Sequence, residues 1–363
     1  MNAAQRLRAL GQSLWLDNIT RGLLTSGTLR GYIADLAITG LTSNPTIFEH
    51  AITDTNFYDD AIRKKALDGR SGESLFFELA LEDLTQAADL FRPIHDATDG
   101  MDGWVSLEVS PLLADDAVTT VSAAVQLHGR AQRPNLYIKI PGTRAGLLAI
   151  EETVFAGIPV NVTLLFSREQ YVAAAEAYMC GIERRIAAGR DPRVASVASI
   201  FVSRWDVAVK DKVPDRLHNG LGIAIAMRTY KAYRELLASP RWQKLAASGA
   251  RPQRLLWAST GTKDPAASDV LYVEALAAPE TINTMPDKTL LAFADHGTAK
   301  SVMRVDGDDG EAVLAEFARH GVDDQGLAVE LQRDGTAAFA KSWHDLLQTI
   351  ATKSAVLTEA RRA

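Results

Sequence analysis

Three ionisable residues fall inside short apolar segments of the kind that form β-strands. Lys139 lies in NLYIKIP, Glu108 in GWVSLEVS and Asp17 in SLWLDNI. A strand alternates its side chains between two faces, and in each segment the flanking Leu, Ile and Val residues take the other face. The pattern therefore predicts that one amine and two carboxylates point toward a shared interior.

A lysine amine enclosed with two carboxylates has a specific chemical use. Removal from water disfavours the ammonium form, so the neutral amine becomes available to attack a carbonyl carbon. The resulting iminium withdraws electrons and permits cleavage or formation of a neighbouring carbon–carbon bond. Both steps require groups that carry protons, which carboxylates can do. The three residues therefore indicate Schiff-base chemistry at Lys139.

Eight strand-like segments recur along the chain, separated by helix-patterned stretches. They fall near 13–19, 38–44, 103–110, 135–141, 160–166, 196–204, 254–260 and 281–285. Strands that alternate with helices form parallel sheets, and eight such units predict an α/β chain folded as a (β/α)8 TIM barrel. No linker-like stretch divides residues 1–363, so we expect a single domain. Additional helices are predicted near 45–102, 205–253 and 295–363.

Other side chains share the predicted inward face with the three ionisable residues. They are Trp15, Thr42, Asn44, Ser106, Tyr137, Asn161, Thr163, Ser199, Phe201, Trp257 and Ser259. Val160, Val162 and Leu164 are predicted to face outward. A buried lysine–carboxylate network that serves only stability is an alternative interpretation. The polar residues lie mostly toward the C-terminal ends of their strands, where barrel enzymes keep their active sites, and this favours catalysis.

Seven segments at these positions resemble the transaldolase family in order and approximate spacing. They are WLDNI, LTSNPTIF, DGWVSLEVSP, YIKIPGT, VNVTLLFS, ASIFVSRWD and WASTGTK. The resemblance covers nearly the whole chain and is to the longer bacterial type. It implies transfer of a dihydroxyacetone unit from sedoheptulose 7-phosphate or fructose 6-phosphate to glyceraldehyde 3-phosphate or erythrose 4-phosphate, in the non-oxidative pentose phosphate pathway.

The resemblance also implies roles for individual residues. Lys139 corresponds to the Schiff-base lysine, Glu108 to the acid/base that acts through a water positioned by Thr163, and Asp17 to the group that exchanges the proton of the C4 hydroxyl. The remaining expected contacts to substrate come from Thr42, Asn44, Asn161, Ser199, Phe201, Arg204 and Ser259, with Arg204 on the phosphate and Asn44 also orienting the lysine.

Two segments depart from the family pattern. SIFVSR at 199–204 stands where many relatives have SPFVGR. After strand seven many relatives carry Ser-x-Arg with a phosphate-binding arginine, but here Gly261 occupies that position. We expect Lys263, two residues further on, to supply the second cation. A lysine is a point charge rather than a planar fork, so the phosphate geometry would differ.

Composition excludes several other classes of protein. The net charge is −6 without a basic run, which argues against nucleic-acid binding. Neither a signal-peptide core nor an apolar run of roughly 18 residues occurs, so we expect a cytoplasmic protein with no membrane partner. The seven histidines lack metal-site spacing, and no nucleotide-binding glycine motif is found, so neither metal nor cofactor is expected. The predicted assembly is a monomer or homodimer.

Three alternatives remain open from the sequence. A simple class I aldolase would use the same residues but release free dihydroxyacetone. An inactive barrel could serve as a binding or scaffold protein. A barrel oxidoreductase would bind nicotinamide, which the absorbance of bound cofactor would reveal.

Overall fold

A closed parallel barrel forms the centre of the molecule. The computed structural model describes residues 2–299 and 301–359, and within them eight strands pair in chain order, with β8 closing on β1. The strands are β1 (Ser13–Asp17), β2 (Ile38–Thr42), β3 (Trp104–Glu108), β4 (Leu136–Pro141), β5 (Val160–Leu165), β6 (Ser196–Phe201), β7 (Gln253–Ala258) and β8 (Ile282–Met285). The predicted (β/α)8 barrel is therefore confirmed.

Helices surround the barrel and extend beyond it. Those in the described residues are α1 (Ala3–Ala9), α2 (Arg21–Thr25), α3 (Thr28–Asp35), α4 (Pro45–Thr53), α5 (Asp59–Leu67), α6 (Gly72–Ala97), α7 (Ala117–Ala131), α8 (Arg144–Ala156), α9 (Arg168–Ala187), α10 (Ser203–Val209), α11 (Leu221–Ala238), α12 (Pro240–Ala247), α13 (Leu271–Ala275), α14 (Asp287–His296), α15 (Gly310–Arg319) and α16 (Asp324–Glu359). Short 3₁₀ turns lie at Pro111–Leu113, Lys210–Lys212 and Asp215–Leu217. None of the helices in this part of the chain is both long and apolar enough to cross a membrane.

Polar residues just beyond the strands fix where the next helices begin. Asn44 accepts a hydrogen bond from the Ile47 amide at the start of α4, and Thr143 does the same for α8. Ser167 begins α9 with a reciprocal capping pair. Such caps satisfy amide groups that have no partner inside the helix. Each helix therefore begins immediately above the strand that precedes it.

Aromatic side chains fill the barrel below its polar layer. The rings of Trp104 and Tyr137 stack with centroids 4.1 Å apart, and Trp15 lies 6.1 Å from Tyr137. Gly40 on β2 leaves room for this layer, because a Cβ there would lie 2.6 Å from Trp15 and 2.7 Å from the Trp104 carbonyl. The aromatic layer closes the barrel beneath the residues at the strand ends.

Two of the predicted side-chain directions are wrong. Trp257 packs with the outer core that includes Leu255, while Leu256 and Ala258 belong to the inner cluster. Leu164 was expected to face outward, but its φ of 58° interrupts the β5–β6 register and turns it into the inner cluster. At Leu164 the positive φ breaks the alternation, whereas β7 alternates regularly and Trp257 was assigned to the wrong one of its two faces.

The C-terminal helix α16 crosses the open end of the barrel. It is 36 residues long and begins at Asp324, inside the region 295–363 where additional helices were predicted. Gly335 lies inside this helix although glycine is a poor helix former. Tertiary contacts hold the earlier turns in place, since Gln332 Nε2 donates to the carbonyls of Gly142 (3.0 Å) and Leu164 (2.9 Å). The helix therefore covers the end of the barrel where the polar residues lie.

Candidate active site

A cavity of about 270 Å³ opens at the C-terminal ends of the strands. It is lined by Asp17, Thr42, Asn44, Thr46, Ile47, His50, Lys139, Ser199, Phe201, Arg204, Ala258, Ser259, Gly261, Lys263, Thr284, Pro286 and Phe339. Nine of these lining residues were predicted from the sequence as catalytic or substrate-binding. The other predicted residues, Glu108, Asn161 and Thr163, lie beneath or beside the cavity.

Lys139 reaches the cavity from inside β4. The residue is only 5% exposed, and Nζ donates a hydrogen bond to the main-chain carbonyl of Ser43 at 3.2 Å. Nζ also lies 3.7 Å from Glu108 Oε2, close enough for an ion pair. The amine is thus held by one neutral acceptor and one carboxylate while facing the cavity.

Glu108 occupies the neighbouring strand at the same level. It pairs with Lys139 in the β3–β4 register and is 5% exposed. Burial raises the pKa of this carboxyl to about 7, although the nearby lysine charge opposes the rise. Its Oε2 atom accepts no hydrogen bond from the described residues. Such a carboxyl can both take up and release a proton near neutral pH.

Asp17 approaches the cavity from the end of β1. Thr42 donates a hydrogen bond of 2.7 Å to its Oδ1 atom, and Thr42 shares another of 2.8 Å with Thr284. Removal from bulk water raises the pKa of Asp17, and the charges of Lys139 and Lys263 counteract part of that rise. The carboxyl is therefore oriented by a hydroxyl and favoured as a proton acceptor.

A chain of buried polar groups supports the lysine from the next two strands. Ser199 Oγ donates to Asn161 Oδ1 at 2.7 Å, and Asn161 Nδ2 donates to Ser106 Oγ at 3.1 Å. Asn161 lies beside Lys139 in the β4–β5 register. Thr163 lies two residues after Asn161 on β5, and its hydroxyl is buried without a hydrogen-bond partner in the described residues. It is free to bind a water or a substrate group.

Asn44 lies at the start of α4. Its side-chain oxygen accepts from the Ile47 amide at 3.0 Å, so it caps α4. The oxygen that contacts Lys139 Nζ belongs to the preceding residue, Ser43. Asn44 also lines the cavity.

Two cations lie at the outer part of the cavity. Arg204 was expected at the end of strand six, but β6 ends at Phe201 and Arg204 lies in the first turn of α10, with its guanidinium 5.2 Å from the centre of the Phe201 ring. Lys263 lies in the loop after β7 and is exposed. Ser259, with a φ of 55°, shares a 2.8 Å hydrogen bond with Ser203 and so links the two loops. The pair of cations can attract an anionic group of a substrate.

Sequence reasoning missed several residues of the cavity wall. Thr284 could have been found, because alternation along β8 places it on the same face as Ile282. Phe339 could not have been found in this way, since it comes from α16, whose place in the fold depends on long-range packing. His50 and Ile47 lie on the exposed and half-buried faces of α4. Within the described residues, no cluster of His, Cys, Asp or Glu could hold a metal ion.

The raised pKa of Glu108 predicts a pH-dependent cost to stability. Between its ordinary pKa of 4.5 and about 7, the group ionises in the unfolded state but keeps its proton in the folded state, so the free energy of unfolding of the wild type falls as pH rises through this range and levels off above about 7. We expect Glu108→Gln to gain stability relative to the wild type between pH 5 and pH 8, by on the order of 3 kcal/mol. Denaturant unfolding of both proteins at each pH measures this difference.

The exposed residue Glu235 provides the control. Glu235→Gln should leave the pH dependence unchanged. At pH 5 Glu108 is protonated and forms no ion pair with Lys139, and its attraction to Lys139 at pH 8 is already contained in the pKa of about 7, so the change with pH is the informative quantity. A difference between Glu108→Gln and wild type that stays constant or shrinks as pH rises would show that the buried carboxyl is not destabilised by ionisation.

Comparison with known proteins agrees with this geometry. The family model described as Transaldolase/Fructose-6-phosphate aldolase matches residues 14–350. The transaldolase of Frankia alni is 45% identical over 359 residues, which cover 96% of this chain and 97% of that protein. The transaldolase of Acidothermus cellulolyticus is 44% identical, with 98% and 97% covered, and that of Neisseria gonorrhoeae is 42% identical, with 96% and 99% covered. The chain therefore belongs to the transaldolase/fructose-6-phosphate aldolase family.

Proposed function

We propose that this enzyme is a transaldolase that works through a Schiff base on Lys139. Its donor would be sedoheptulose 7-phosphate or fructose 6-phosphate, and its acceptor glyceraldehyde 3-phosphate or erythrose 4-phosphate, as in the non-oxidative pentose phosphate pathway. The observation that carries the proposal is the buried Lys139 amine, 3.7 Å from Glu108, in a cavity that also contains Asp17 and Arg204. A cytoplasmic location and a monomer or homodimer stay predictions.

Formation of the Schiff base would begin with attack of the neutral Lys139 amine on C2 of the ketose phosphate. The carbinolamine then loses its hydroxyl as water, which requires a proton. Glu108 Oε2 and Thr163 Oγ1 both lack hydrogen-bond partners in the described residues. A water held between them would carry protons between Glu108 and the reacting oxygen. A carboxyl with a pKa of about 7 suits both directions of this transfer.

Cleavage of the carbon–carbon bond would depend on Asp17. Its carboxylate takes the proton of the C4 hydroxyl while the C3–C4 bond breaks, and the bonding electrons pass into the iminium to form an enamine. The aldose phosphate leaves with its new aldehyde at C4. Thr42 orients the carboxylate by its 2.7 Å hydrogen bond. The pKa of Asp17 is raised by burial, which makes it a better proton acceptor than an ordinary aspartate.

Transfer would follow when a second aldose phosphate enters. The nucleophilic carbon of the enamine attacks the aldehyde carbon, and Asp17 returns its proton to the new alkoxide. Hydrolysis of the iminium then releases the ketose product and the free amine. The enamine must meanwhile be protected from protonation by water. Phe201 and Phe339 line the cavity and are only 7% and 6% exposed, which limits the water that reaches it.

The reaction products distinguish a transaldolase from a simple aldolase. With fructose 6-phosphate and erythrose 4-phosphate we expect sedoheptulose 7-phosphate and glyceraldehyde 3-phosphate in equal amounts. With fructose 6-phosphate alone, glyceraldehyde 3-phosphate should stop at about one equivalent per enzyme, because the enamine stays bound. Chromatography of the quenched mixtures, with a Lys139→Ala control, measures both quantities. Continuous release of free dihydroxyacetone without an acceptor would indicate an aldolase instead.

Lys263 is proposed to bind the substrate phosphate together with Arg204. A hydrogen bond to a charged group contributes about 1.5–3 kcal/mol, so Lys263→Ala should raise KM for fructose 6-phosphate by roughly tenfold or more. The KM for unphosphorylated fructose should not change. Steady-state kinetics with both sugars measures the effect.

Lys288→Ala removes an exposed lysine that does not line the cavity and serves as the matched control. It should leave both values unchanged. If Lys263→Ala also left KM for fructose 6-phosphate unchanged, Lys263 would have no part in phosphate binding.

A further inference from the structure

One face of α16 lies against the open end of the barrel. Gln332 donates to the carbonyl of Gly142, just after β4, and to that of Leu164, the irregular residue of β5. Gly335 and Phe339 follow at intervals of three and four residues and therefore lie on the same face as Gln332. Thr46 Oγ1 donates to Ser342 Oγ at 2.8 Å further along. The helix is thus fixed at both ends of the segment that covers the cavity.

Gly335 lies where a side chain would press on the phosphate-binding region. A Cβ atom there would be 3.2 Å from Arg204 Nη1 and 3.0 Å from Leu164 Cδ2, closer than ordinary van der Waals contact. A glycine inside an exposed helix costs roughly 0.5–1 kcal/mol relative to alanine. The close approach of the guanidinium gives a reason for a glycine at this buried position.

Phe339 lies one helical turn after Gly335, and its ring is near both Lys139 and Arg204. The centre of its ring is 5.8 Å from Lys139 Nζ and 6.0 Å from the central carbon of the Arg204 guanidinium. Phe201 packs against it with ring centroids 6.5 Å apart. The guanidinium therefore has the faces of two aromatic rings and the backbone of α16 as neighbours.

Arg204 makes no ion pair or hydrogen bond with another residue in the described part of the chain. Many other arginines of the protein are held by carboxylates, as Arg241 is by Glu183 and Arg228 by Glu311. The position of the Arg204 guanidinium is therefore set by packing. This leaves its five donors available to a ligand.

We propose that Gly335 and Phe339 are positioning residues for Arg204 and determine the preference for phosphorylated sugars. The gap at Gly335 lets the guanidinium lie against the helix, and the Phe339 ring limits how far it can swing toward Lys139. This fixes the distance between the phosphate and the carbon that Lys139 attacks. The inference rests on the proposed function, because it assigns Arg204 to the substrate phosphate.

Gly335→Ala and Gly335→Val form a steric series that tests the proposal. Each added carbon displaces the guanidinium further, so KM for fructose 6-phosphate should rise in that order, reaching at least about tenfold with valine. Trapping of Lys139 by borohydride with unphosphorylated dihydroxyacetone should proceed at the wild-type rate in the alanine variant. The thermal unfolding temperature of Gly335→Ala should stay close to that of the wild type, because the helix preference of alanine offsets the close contact of its added Cβ atom.

Two further variants keep the test decisive. Ala338→Gly changes an exposed position of the same helix and should lower stability slightly without altering KM for either sugar. Phe339→Leu removes the ring without adding bulk, and should raise KM for fructose 6-phosphate more than KM for fructose. It decides the question if Gly335→Val does not fold.

The possible outcomes separate the inference from the proposed function. An active wild type in which the Gly335 variants and Phe339→Leu leave the ratio of the two KM values unchanged would overturn the inference alone. A wild type that transfers nothing, or an Arg204→Ala variant with unchanged KM for fructose 6-phosphate, would overturn the assignment on which the inference rests. A graded rise confined to the phosphorylated sugar would support it.

Discussion

The placement of Lys139 and Glu108 together inside the barrel is the constraint on which the rest of the site depends. Two charges removed from water are costly unless each has a close partner, and here Nζ and Oε2 are 3.7 Å apart. The pKa of the carboxyl rises to about 7 as a result of its burial. The aromatic layer below and α16 above keep water away from the pair. The same features that make the pair costly make it useful for proton transfer and for attack on a carbonyl.

Much of this arrangement could be predicted because a parallel strand has a strict two-residue period. That period was sufficient to give eight strands and to place Lys139, Glu108 and Asp17 on a shared inner face. It was not sufficient at Leu164, where a backbone φ angle of 58° redirects the side chain. A positive φ at a leucine has no local sequence signal. Trp257 was also assigned to the wrong face, although the period itself holds throughout β7.

Contacts made by residues far apart in the chain could not be predicted at all. The carbonyl of Ser43 contacts Lys139, but every residue has a main-chain oxygen, so the sequence does not indicate which one accepts this hydrogen bond. Phe339 lines the cavity although it lies 200 residues after Lys139 in the chain. Its position depends on Gln332 and Ser342 anchoring α16 to the barrel. The family resemblance correctly indicated the reaction class, but the cover over the site came from the structure.

The central claim is that the Lys139 amine forms the covalent intermediate. Incubation with fructose 6-phosphate and borohydride, followed by mass spectrometry of the peptides, tests it most directly. The account predicts a reduced three-carbon adduct on Lys139 that is absent from Lys139→Ala, because the aldose phosphate has already left when the imine is reduced. An adduct on another lysine, or no adduct from an enzyme that transfers dihydroxyacetone, would contradict it.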